Sequence, residues 1–146
     1  MFTELPTTAI AHAIQLAVAP VFLLTGIASI LSVLTNRLGR IIDRSRFLHG
    51  KLLSLNKEKQ GKDIHDELAV LTQRTRLINW AIGLCTTSVL LICSVIAILF
   101  LGSFIILNMA TPIASLFVAA MLSLILALIF FICEIYLATA NVRNGP

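Results

Sequence analysis

Polar positions are sparse along this chain except in one segment. From Ala9 to Leu34 the sequence is apolar with scattered small polar residues; it turns dense in charge after Asn36, then runs apolar again over 77–107 and 112–140. Each apolar run exceeds the roughly 20 residues a helix needs to cross the hydrocarbon core. A backbone in lipid must satisfy its own hydrogen bonds, so helices are the form required. The pattern predicts an all-α integral membrane protein, a single membrane domain over 1–146, with transmembrane helices at about 9–35, 77–104 and 113–138.

Between the first two spans, over about 36–76, the periodicity changes rather than stops. Leu38, Ile41, Leu48, Leu52 and Leu55 recur at spacings of three and four, broken only by Ser45. Beyond Gly61 the pattern resumes as Ile64, Leu68, Leu71 and Ile78, with Thr75 in the gap. This is the a/d seam of a short coiled coil. The stretch "EKQGKD" is expected to supply the reversal, with Gly61 at positive φ and Asp63 capping the second arm, Asp66 and Glu67 following in its first turn. The arms then form an antiparallel helical hairpin, each of about 20 residues and roughly 30 Å long. The flanking spans are expected to run straight into it, giving two very long helices.

Composition supports the membrane class. Hydrophobic residues make up 58% and charged residues 12%, and the mean hydropathy is +0.98, whereas a soluble domain carries about 25% charged residues. Ten of the 11 basic residues, from Arg37 to Arg76, lie in the hairpin segment with five of the seven acids, a local balance of +5. The positive-inside rule puts that segment in the cytoplasm, the N-terminus outside and the tail "NVRNGP" inside. Met1 to Thr8 carries no basic residue of the kind that opens a cleavable signal, so the first span is expected to be retained. Trp80 and Tyr136 fall at cytoplasmic ends of spans, the depth of an interfacial aromatic belt.

Arg37, Arg40 and Arg44, with Arg46, Arg74 and Arg76 at similar depth, form a basic collar just beyond the membrane. Such a collar suits anionic lipid headgroups; the acidic face of a protein partner is the alternative. Aromatic interleaving of the kind that stacks bases is absent, so nucleic acid is not expected.

Ionisable and polar groups within spans are where function is sought first. His12 and Gln15 share a face near the outer end of the first span, as a proton-sensitive site or as simple interface residues, and Pro20 is expected to kink that helix. Thr25, Ser29, Ser32 and Asn36 make one stripe; Asn79, Gly83, Thr86 and Thr87 make a second. Ser115, Ala119, Ser123 and Ala127 form a small-residue ridge that leads to Glu134. These stripes either pack helices or line a wet groove. Glu134 either reaches the headgroup zone or pairs with Arg37, Arg40 or Arg76.

Cys85, Cys93 and Cys133 sit inside apolar runs without metal-ligand spacing and read as small hydrophobes. No nucleophile–base set, phosphate-binding glycine loop or paired-carboxylate site is present in the sequence. No catalytic residue, metal or cofactor is expected.

The stretches "HAIQLAVAPVFLLTGIASILSVLTNRLGRIIDRSR" (12–46) and "QRTRLINWAIGLCT" (73–86) resemble a family of small bacterial membrane proteins known only as a domain of unknown function. The resemblance runs over nearly the whole chain and implies a bacterial inner-membrane setting without assigning an activity. A second likeness is architectural only. Three spans, an outside N-terminus and a cytoplasmic hairpin are similar to the membrane-insertase superfamily, with no shared motif.

Together these features lead us to expect a non-enzymatic inner-membrane protein that acts through self-assembly or through a membrane-protein partner docked on the hairpin. A homo-oligomeric channel and an insertase-like chaperone are the alternatives.

Overall fold

The structure, a computed structural model, describes residues 5–54, 58–105 and 108–143. Three helices account for nearly all of them: α1, Leu5–Ser54, of 50 residues; α2, Glu58–Gly102, of 45; and α3, Ala110–Arg143, of 34. No strand occurs among the described residues. All three helices are long and apolar enough to cross a membrane. The first two spans do continue unbroken into the charged segment, and α1 runs through Pro20 without interruption.

Their most apolar windows are only 17%, 22% and 17% buried in chain order. The remaining apolar surface, including Phe22, Leu90, Leu122 and Ile129, points outward. In water that exposure would be untenable; in hydrocarbon it is the surface the solvent demands.

The buried positions recur by sevens on each helix. On α1 they are Ala13, Pro20, Ile27, Leu34, Ile41 and Leu48; on α2, Ile64, Leu71, Ile78, Cys85 and Ile92. On α3, Ala120, Ala127 and Glu134 follow the same interval. A seven-residue interval lets one stripe stay against a neighbouring helix over many turns.

The chain divides into two compact units, each containing a part of every helix: Met1–Ile30 with Leu84–Leu126, and Leu31–Gly83 with Ala127–Pro146. In the first, Ala13, Ala17 and Ile27 of α1, Cys85, Ile92 and Val95 of α2 and Ala120 of α3 are buried. Two serines join α2 to α3 there: Ser88 Oγ donates to the Ala120 carbonyl at 2.9 Å, and Ser123 Oγ donates to the Leu84 carbonyl at 2.8 Å. Small side chains let the backbones approach and each hydroxyl reach the opposite helix, the use that serine serves in membrane bundles.

The second unit holds the hairpin. Ile41 and Leu48 are buried on one arm, Ile64, Leu68, Leu71 and Ile78 on the other. Arg44 and Glu67 pair across the arms at 2.8 Å, and Arg37 and Arg74 converge on one carboxylate. Positions 37 and 44 on one arm thus match 74 and 67 on the other. Both matches share a midpoint between 55 and 56, so the arms are antiparallel with no slip in register.

The reversal differs from its sequence expectation. Helix α2 already begins at Glu58, Gly61 lies in its first turn, and no described glycine has positive φ. Asp63 therefore sits inside the helix and not at its cap. Residues 55–57, between α1 and α2, lie outside the described residues. The apolar seam on the second arm demanded only that the helix begin before Ile64, and nothing in "EKQGKD" forbids helix earlier.

Candidate functional site

Within the second unit, Glu134 occupies a seam position of α3 where the sevens would otherwise place an apolar residue, and its side chain is 0% exposed. Its Oε2 accepts from Arg37 Nε at 2.9 Å, with Nη2 of the same guanidinium at 2.7 Å. Its Oε1 accepts from Arg74 Nε at 3.0 Å, with Nη2 at 2.9 Å. One side edge of a guanidinium thus grips each oxygen, and the carboxylate ties α1, α2 and α3 together at a single point. The Arg37 guanidinium also lies 5.7 Å from the centre of the Phe131 ring, a cation–π arrangement.

Arg37 and Arg74 remain partly open, with side chains 32% and 19% exposed. Their polar heads can therefore stay near water or headgroups while the acid is enclosed. Two positive charges on one negative leave the cluster at +1. Each oxygen of Glu134 accepts one Nε–H and lies against the Nη2 of the same guanidinium, so both oxygens are engaged by arginine. The arrangement is an electrostatic clamp, and no group of three His, Cys, Asp or Glu residues suited to a metal exists among the described residues.

Of the partners expected for Glu134, Arg37 is present; Arg74 stands in place of Arg40 and Arg76. Arg44 donates from Nε and Nη2 to Glu67 Oε1 at 3.0 and 2.8 Å. The collar is therefore divided: Arg37, Arg44 and Arg74 are paired with acids within the protein, Arg37 and Arg74 sharing one, whereas Arg40, Arg46 and Arg76 have no acidic partner among the described residues.

The intramembrane polar candidates are not brought together. Thr25, Ser29, Ser32 and Asn36 face outward, as do Asn79, Thr86 and Thr87. Thr25 and Ser29 return their hydroxyls to the carbonyls of Val21 and Thr25 one turn earlier, which satisfies them without any neighbouring helix. The reason is rotation: Ile27 and Leu34 hold the buried stripe of α1, and the polar stripe falls on another face. The ridge on α3 is half realised: Ser123 and Ala127 are buried, Ser123 bonding to α2, whereas Ser115 and Ala119 are exposed. His12 borders an apolar cleft of about 890 Å³ in the first unit, lined also by Pro20, Ile98 and Phe117; Gln15 does not.

Sequence reasoning missed Ser88, which lies three residues past the seam position Cys85. The interval of seven through Ile64, Leu71, Ile78 and Cys85 is the signal that could have chosen it over Thr86 and Thr87. Cys85 itself is a buried seam residue, while Cys93 and Cys133 face outward as free thiols.

Residues 17–144 match the family described as "Protein of unknown function (DUF2721)", and the chain belongs to that family. No curated protein and no solved structure matches the chain.

Proposed function

We propose that this member of the family is a non-enzymatic protein of the bacterial inner membrane. It works by assembly, with copies of itself or with another membrane protein, through a cytoplasmic hairpin shaped as a short coiled coil. One observation carries the reading. The hairpin closes its own seam, yet its first arm leaves Phe47 63% and Leu53 90% exposed. An exposed aromatic such as Phe47, set among charged side chains with Leu53 on the same arm, is of the kind enriched at protein interfaces. The unpaired arginines at the base of the hairpin fit anionic headgroups and would hold it at the bilayer surface.

The test is the native mass of the particle released gently into lipid nanodiscs. We expect either a fixed small number of copies or a stoichiometric second protein, and the double substitution Phe47→Ser, Leu53→Ser should dissolve that association while leaving helix content intact. A lone protomer, or an assembly indifferent to both substitutions, overturns the reading.

A second reading is favoured by the outward stripe Thr25, Ser29, Ser32 and Asn36. In a symmetric ring of copies that face could line a shared axis, with arginines at its inner mouth favouring anions. Planar-bilayer recording tests it, and silence of the pure protein across voltage and pH sinks it.

A further inference from the structure

We propose that the second unit carries a discrete binding site for the phosphate of one anionic phospholipid, formed by Arg76, Asn79 and Trp80 on α2. The inference deepens the membrane reading above and is independent of whether the protein assembles.

A concavity of about 410 Å³ is lined by Thr72, Thr75, Arg76, Asn79 and Trp80. These positions occupy one face over two turns of helix. Thr72 and Thr75 donate their hydroxyls to the carbonyls of Leu68 and Leu71, both at 2.9 Å, so neither has a proton left for a ligand. Three groups do: the Arg76 guanidinium, the Asn79 amide and the Trp80 indole N–H, none of which has a hydrogen-bond partner among the described residues. All three are donors that line this concavity on one helix face, and one of them carries a full positive charge. An anion with several acceptor oxygens is the complementary chemistry.

Arg76 differs here from its neighbours. Arg37 and Arg74 are consumed by Glu134, and Arg44 by Glu67. Arg40 and Arg46 are unpaired among the described residues, but neither lines this concavity. Trp80 gives the site a fixed wall, because its ring stacks on Phe130 of α3 with centroids 6.4 Å apart and planes 21° from parallel. It remains 57% exposed.

Location identifies the anion. Arg76 is the last charged residue before the apolar run that starts at Leu77, and an exposed tryptophan one turn on belongs at headgroup level. The anion present at that depth in a membrane is the lipid phosphate, with its acyl chains free to lie along the outward apolar face of α2. A dissolved phosphate would have to leave water for that depth without gaining an apolar contact.

Trp80 is the only tryptophan in the chain, so its fluorescence reads the site directly. The protein is reconstituted in phosphatidylcholine vesicles and titrated with phosphatidylglycerol brominated near the glycerol end of its acyl chains; brominated phosphatidylcholine is the reference. Quenching should show about a fivefold preference for the anionic lipid, the size of one basic residue's attraction at the surface. Arg76→Gln should bring the ratio to about one, whereas Arg40→Gln and Arg46→Gln should leave it in place. No preference in the wild type, a preference that survives Arg76→Gln, or equal loss in all three variants overturns the site in favour of a diffuse basic collar. Should Arg76→Gln fail to fold, Asn79→Ala decides: a lowered ratio supports the site and an unchanged one overturns it. Because the signal does not depend on subunit number, its failure is distinguishable from failure of the assembly reading, which the native mass decides.

Discussion

Glu134 concentrates more consequence than any other side chain in the protein. An enclosed carboxylate is tolerable only because two guanidinium groups meet it, and removing one member of such a cluster leaves charge without compensation, at about 3–5 kcal/mol. Glu134→Gln keeps the shape and an acceptor oxygen but leaves Arg37 and Arg74 facing each other, so thermal unfolding followed by circular dichroism should show a loss of that order. Arg37→Gln should cost less, since Arg74 still neutralises the acid. It should cost least on the Glu134→Gln background, where its partner charge has already gone; equal costs on both backgrounds would mean that the pair is not coupled. The sequence made Glu134 conspicuous because a carboxylate among apolar residues needs a partner. It named Arg37 but not Arg74, because choosing among arginines on another helix requires the register between helices, and no spacing within one helix contains it. The same limit explains Ser88: a shift of one residue turns a side chain by about 100°, enough to exchange Thr87 on the outside for Ser88 on the inside.

At the scale of elements, the seam by sevens was the legible part. Of the residues named from periodicity, Ile41, Leu48, Ile64, Leu68, Leu71 and Ile78 are buried, Leu38 and Leu52 are half-buried, and Leu55 lies outside the described residues. Apolar periodicity reports a face that must leave water, and in the hairpin the surroundings are polar enough for that face to stand out. Within the spans the signal fades because both the inward and the outward faces are apolar, so small polar residues drew attention to the outward side of α1. The reversal was misplaced for a different reason. Glycine permits positive φ without requiring it, and Gly61 is helical. This difference has a measurable consequence. A Cβ added at Gly61 meets nothing within 4 Å, so Gly61→Ala should stabilise the hairpin by about 0.5–1 kcal/mol through the lower entropy of the unfolded chain. Amide hydrogen exchange over 58–72 should slow accordingly. Were Gly61 instead the left-handed residue of a turn, alanine would strain the backbone there and exchange would quicken.

At the scale of the whole molecule, the remaining question is which side of the membrane the hairpin occupies. The segment from Arg37 to Arg76 carries ten basic residues against five acids, while the sequence before it contains one charge, Glu4. The structure leaves Arg40, Arg46 and Arg76 without acidic partners among the described residues, so internal pairing does not cancel the asymmetry that topology responds to. Moving this segment outward would carry a net +5 against the membrane potential, each charge opposed by about 2.3 kcal/mol per 100 mV. An N-terminus with a single acid meets no such opposition. The orientation can be read with a membrane-impermeant maleimide on intact cells, after Cys85, Cys93 and Cys133 are replaced. Thr8→Cys should label without lysis, and Ser54→Cys should label only once the membrane is opened. Labelling of Ser54→Cys on sealed cells would put the hairpin outside, and would remove the cytoplasmic docking role together with it. The lipid site at Arg76 would survive that reversal, since it requires a phosphate at headgroup depth and not a particular leaflet.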